Sequence, residues 1–103
     1  MVQLELVRYD GVVVSRCWLM TALNRAWAKG WFGADGGYWD ADWQLRLEPT
    51  PGGWLVVPNL RSVNATLLDD VMLNSAAVLL SGAKLALGPD VARMKTPFEV
   101  RFI

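Results

Sequence analysis

Short apolar runs of period two, broken by turn residues about every ten positions, constrain this chain more than any other feature. Val2, Leu4 and Leu6 alternate with Gln3 and Glu5; Trp43, Leu45 and Leu47 alternate with Gln44, Arg46 and Glu48; Phe98, Val100 and Phe102 alternate with Glu99 and Arg101. Successive side chains of an extended chain point to opposite faces, so each run presents one apolar face and one polar face. Tyr9–Gly11, Thr50–Gly53, Asp69–Asp70 and Ser81–Gly82 carry the residues that close turns between such runs. Trp43 to Pro58 reads as a hairpin, ended by a proline that cannot donate to a ladder. The pattern predicts an all-β fold, an antiparallel sandwich of about ten short strands. With 103 residues, no internal repeat and no linker, residues 1–103 are expected to form a single domain.

Composition removes several function classes. Hydrophobic residues make up 53% and charged residues 19%, which supplies a core and excludes the disordered regime. Lys and Arg number 10, as do Asp and Glu, so no excess of cations suggests nucleic-acid binding or attachment to a membrane surface. The chain has no histidine and one cysteine, Cys17. It thus lacks the commonest general base, the commonest metal ligand and the means to close an internal disulfide. Cys17 is expected as a small core residue in a reducing compartment. No apolar run approaches the ~18 residues of a membrane span, and Glu5 and Arg8 interrupt the N-terminal stretch. The expectation is a cytoplasmic, non-enzymatic domain with no cofactor, no metal, no nucleic-acid partner and no membrane insertion.

Two segments resist periodicity. Leu19, Leu23, Ala26 and Trp27 fit a helical face with Gly30 as its C-cap, but the same residues fit a strand ending near Leu23 and a loop opening at Asn24. The stretch Gly30–Asp42 is loop-like, with four glycines, three aspartates and four aromatic residues. Trp31 and Trp39 are candidates there to stack on a sugar ring or to anchor a partner. Against that stands a role in covering the open end of the sandwich. Trp43 is assigned to the core by its alternation. The aspartates Asp35, Asp40, Asp42, Asp69 and Asp70, spread over two loops, are read as turn caps rather than as a catalytic pair.

From Trp43 onward the order is WQLRLEP, TPGGW, LVVP, NLRSVNATLLDD, VLLSGAKLALG and PFEVRF. This order resembles the C-terminal half of forkhead-associated (FHA) domains, of bacterial type. Ser62, Asn64 and Thr66 stand where that family has S-x-N-x-T, with Ala65 replacing a glycine. The resemblance covers roughly the last 60 residues, and the order of the parts carries it. In the first half, Leu23–Ala26 takes the place of the family's I-G-R loop, which makes Arg25 the counterpart of its phosphate-contacting arginine. The family's Ser-x-x-His motif is absent, and Asp40 and Asp42 stand near those positions. Carboxylates there repel a dianionic phosphate unless they face away or pair with Arg25 or Lys29.

The resemblance implies a protein-recognition module whose loops hold a protein or phosphopeptide partner at one end of the sandwich. A phosphothreonine segment would take phosphate contacts from Arg25 and Arg61, hydroxyl bonds from Ser62 and Thr66, and a main-chain clamp from the Asn64 amide. Asn64 is equally suited to tying one loop to the next. By family analogy such a module serves bacterial signalling or a secretion-system assembly, with self-association as a homo-oligomer left open. The alternative is a small aromatic-loop module for a carbohydrate or another ligand, with no phosphate recognition.

Overall fold

The computed structural model describes residues 2–103. Among them, ten strands form two antiparallel sheets, as the alternation predicts. The strands are β1 (Leu4–Arg8), β2 (Val13–Cys17), β3 (Thr21–Leu23), β4 (Leu45–Thr50), β5 (Gly53–Pro58), β6 (Thr66–Leu68), β7 (Val71–Met72), β8 (Ala77–Leu79), β9 (Lys84–Leu87) and β10 (Lys95–Phe102). One sheet has six strands in the order β2-β1-β10-β9-β6-β7, the other four in the order β3-β4-β5-β8.

The registers follow the alternation. Leu4 pairs with Phe102 and Leu6 with Val100, so inward residues of β1 and β10 stand side by side. The β4–β5 hairpin runs from Leu45 opposite Pro58 to Thr50 opposite Gly53, closed by Pro51 and Gly52. Leu4, Leu6, Leu45, Leu47, Trp54, Val56, Leu85, Leu87, Phe98 and Val100 meet between the sheets, each with 1% or less of its surface exposed. Cys17 lies in the same core, where burial raises its thiol pKa and keeps it a thiol. Asp69 and Asp70 both take positive φ, 47° and 71°, which reverses the chain between β6 and β7. Among the described residues no helix is long and apolar enough to cross a membrane.

The ambiguous segment takes one part from each expectation, with Leu19 and Leu23 outside the helix. The strand β3 ends at Leu23, and a helix, α1 (Arg25–Phe32), opens directly after it. Asn24 caps that helix by accepting the Trp27 N–H at 3.1 Å. Gly30 lies inside the helix rather than ending it; Gly33, at φ 64°, is the C-cap. A 3₁₀ segment, Gly33–Tyr38, then folds back against the helix. The approach is so close at Gly36 that a Cβ there would overlap the backbone of Ala28 and Lys29. The stretch expected as open loop is therefore a compact helical cover.

That cover carries its aromatics inward. Trp27, Phe32 and Trp39 pack around Phe98, with ring centroids 5.2–6.4 Å apart. The Trp27 indole N–H donates to Ser15 Oγ at 3.1 Å, tying α1 to β2. Trp43 departs from its expected core position. It precedes β4, is only half-buried, and lies under the Arg46 guanidinium with 4.6 Å from cation to ring centroid. Gln44, next along the chain, is fully buried instead.

Candidate recognition site

Three chain segments converge at one end of the sandwich: the end of β3 with the start of α1, residues 38–44, and the loop between β5 and β6. Backbone bonds fix their relative positions. The Arg25 N–H donates to the Asp40 carbonyl at 2.9 Å, Gln44 N–H to Leu23 at 2.8 Å, and Asn59 N–H to Gln44 at 3.0 Å.

The side chain of Gln44 holds these segments together. Its Oε1 accepts the Asp40 N–H at 2.9 Å, while its Nε2 donates to the Asn64 carbonyl at 2.8 Å and to Thr66 Oγ1 at 3.2 Å. A fully buried amide is tolerated because its hydrogen-bonding groups are used. Asn59 organises the next loop. Its Nδ2 donates to the Trp43 carbonyl at 2.9 Å, and its Oδ1 accepts the Arg61 N–H at 3.1 Å. Neither residue is marked by the sequence as a site residue. Gln44 sits on the polar side of an alternating run, and Asn59 follows a strand-ending proline.

Of the residues singled out from the sequence, three come together. Arg25, Asn64 and the segment Gly37–Ala41 line an open cleft of about 420 Å³, with Val63 on its rim, 99% exposed. Arg25 Nε donates to the Trp39 carbonyl at 3.0 Å, and Asn64 Nδ2 to the Tyr38 carbonyl at 2.8 Å. Ser62 Oγ donates to Asp40 Oδ2 at 3.1 Å. In this structure the Asn64 amide thus ties one loop to the next.

The other candidates lie elsewhere. Thr66 starts β6 with 2% of its surface exposed, and its hydroxyl accepts from Gln44, so that hydroxyl serves the loop framework rather than the cleft. Trp39 is 0% exposed, with its indole N–H donating to Thr96 Oγ1 at 2.9 Å, so the expected aromatic contact is a core residue. The physical reason is the fold-back of the 3₁₀ segment, which turns this tryptophan onto Phe98. Trp31 remains at the surface on the last turn of α1, where its carbonyl accepts from Arg8 at 2.7 Å. Arg61 is exposed beyond the cleft lining. Tyr38 is exposed at the cleft, with the Lys95 ammonium 4.7 Å from its ring centroid.

Asp40 sets the electrostatics. Its Oδ1 accepts the Asp42 N–H at 2.9 Å, and Ser62 supplies the second donor. Its carboxyl is held below the ordinary range first by the Asp42 N–H; desolvation is the next largest effect and opposes it, and the Ser62 hydroxyl, the Trp43 N–H and the charge of Arg25 add smaller lowering effects. The cleft thus presents a cation, a carboxamide and an ionised carboxylate within one loop cluster. A second cleft, about 360 Å³, lies away from these loops over Val7, Lys84, Pro97 and Arg101 on the outer face of the six-stranded sheet.

No family model matches the sequence, and no curated protein matches it. Solved structures do. The FHA domain of a hypothetical protein from Arabidopsis thaliana has a TM-score of 0.74 and 22% identity, over 100% of this chain and 87% of that one. A chain from a structural and functional analysis of phosphothreonine-dependent FHA domain interactions has a TM-score of 0.63 and 18% identity, over 97% of this chain and 94% of that one. At such identities the likeness is one of fold. With its six- and four-stranded sheets and its loop cluster at one end, the chain carries the forkhead-associated fold.

Proposed function

We propose that this domain is a non-catalytic protein-recognition module that holds an extended segment of a partner across its loop end, over Arg25, Ser62 and Asn64. The observation that carries this reading is the convergence of Arg25, from the start of α1, and of Ser62 and Asn64, from the loop between β5 and β6, on the segment Tyr38–Asp40: Arg25 and Asn64 line the cleft, and Ser62 bonds the Asp40 carboxylate in its wall. Arg25 supplies a forked donor, Asn64 a carboxamide for main-chain groups, and Tyr38 and Val63 an exposed apolar rim. Arg61 lies outside the cleft and reaches a ligand from its edge. The carboxylate in the cleft already accepts two hydrogen bonds, which suits positioning rather than proton transfer.

Phosphothreonine dependence belongs to the second similar structure. For this chain the ligand class turns on Asp40. The setting that family analogy suggests is a bacterial signalling or secretion assembly. The carbohydrate alternative is weakened because Trp39, one of its two aromatic platforms, is buried. The test is binding of a degenerate phosphothreonine peptide library and its unphosphorylated twin to wild type, Arg25→Ala and Asn64→Ala. Binding to either library that both substitutions reduce supports the site. Binding that neither substitution changes places recognition elsewhere on the domain.

A further inference from the structure

We infer, on the reading of the loop end as a recognition site, that Asp40 is its specificity-determining residue: its carboxylate already fills the cleft's anion seat, so the site admits unphosphorylated segments and refuses phosphorylated ones. The donors at this point form a set. The Asp42 N–H lies 2.9 Å from Oδ1 and the Ser62 hydroxyl 3.1 Å from Oδ2. Arg25 stands on the same cleft with an attractive charge. A main-chain N–H and a hydroxyl directed at one carboxylate, with a guanidinium on the same cleft, are components of an oxyanion or phosphate site. Here an anion of the chain itself occupies that point.

The neighbouring contacts extend the pattern. Arg25 Nε grips the carbonyl of Trp39, and the Asn64 amide grips the carbonyl of Tyr38. The segment Tyr38–Asp40 thus receives from the side chains of Arg25, Ser62 and Asn64 two bonds to main-chain carbonyls and one to an anion. A peptide carrying a negative side chain would ask for the same three. An incoming phosphate would have to break the Asp42 and Ser62 bonds of the carboxylate and would still find its charge close by, because the Asp40 backbone is pinned at both ends. Its N–H is held by Gln44 and its carbonyl by Arg25. A dianion beside that carboxylate meets repulsion that the single guanidinium must first cancel. The segment that fits is one whose main chain runs over Tyr38 and Val63 and which brings no phosphate.

The experiment titrates inorganic phosphate into ¹⁵N-labelled wild type, Asp40→Ser, Asp40→Asn and Asp40→Ser combined with Arg25→Ala. The amide shifts of Asp42, Trp43 and Ser62 are the readout. The two peptide libraries are then measured on the same proteins. Asp40→Asn keeps Oδ1 as acceptor for the Asp42 N–H and offers Nδ2 to the Ser62 hydroxyl oxygen while removing the charge, so it answers the question if the serine variant does not fold. The expected result is no saturable shift in wild type, saturable shifts in the charge-removed variants, and their loss when Arg25 is also removed. Preference for the phosphorylated library should rise by about tenfold or more on removing the charge. Saturable phosphate binding at these amides in wild type overturns the inference, as does failure of both charge-removed variants to gain it.

The two readings fail separately. Phosphate binding gained on charge removal, with no peptide bound by any variant, keeps the filled anion seat and discards the recognition module. Peptide binding that depends on Asn64, with no gain of phosphate, does the reverse.

Discussion

The Gln44 side-chain amide donates to the Asn64 backbone carbonyl at 2.8 Å across twenty positions of sequence, and its oxygen accepts the Asp40 N–H on the other side. One buried side chain thereby sets the distance between the two loops that form the cleft. Gln44→Leu is close in volume and abolishes every one of these bonds, leaving buried partners unsatisfied. The expected loss is about 2–4 kcal/mol, read as a fall in the denaturant midpoint with little change in slope. A loss below about 0.5 kcal/mol would mean that water replaces the amide and that the loops are not held by it.

Trp39 closes the core rather than meeting a ligand. Trp39→Ala should cost about 3–5 kcal/mol, while Trp39→Phe, which retains the ring packing but not the Thr96 bond, should cost less than half of that. Trp39 emission should also resist aqueous quenchers that reach Trp18, which is 58% exposed. Equal losses for the two substitutions would show that the hydrogen bond dominates and the packing does not.

Asn24 stands between β3 and α1 and accepts the Trp27 N–H. Asn24→Ala should destabilise the domain by about 1 kcal/mol and Asn24→Gly by only a few tenths. The pair of thermal midpoints checks this, and equal shifts would argue against a capping role.

Asp40, Asp10 and Asp90 all have depressed carboxyl pKa values in the fold. The Asp42 N–H leads for the first, Arg8 for the second and Arg93 for the third. A depressed folded pKa contributes stability that is present above the unfolded value of about 3.9 and is lost as pH falls through the lower folded value. The urea midpoint should therefore fall in acid. Asp40→Asn should be less stable than wild type at neutral pH, with a gap that narrows below about pH 4. A gap independent of pH would show that the charge of Asp40 adds nothing to its bonds.

Much of the fold was legible because strand alternation is a local signal. The runs around Leu4–Leu6, Leu45–Leu47 and Phe98–Val100 needed no information beyond their own residues. The helix was not so readable. At eight residues it shows about two turns of periodicity, has no acidic first turn and contains Gly30. Its true start signal, Asn24, served equally well as a loop residue. Trp43 and Gln44 misled for a related reason. The alternation of β4 was extended two residues too far, to positions where the chain is turning and strand parity no longer says which side faces the core. Asn64 and Ser62 were visible through the order of motifs around them. Gln44 and Asn59 were not, because their partners lie in segments that only the folded chain brings near.

The Gln44 knot also bears on the entropy of association. A loop cluster that orders only on meeting its partner loses conformational freedom at that moment, at a cost of about 0.5–1.5 kcal/mol for each side chain immobilised. Here the backbones of Asp40, Asn59 and Asn64 are already fixed to Gln44. Little disorder remains for a ligand to remove, so association should proceed close to rigid-body docking, with affinity changes among partners carried by dissociation rates.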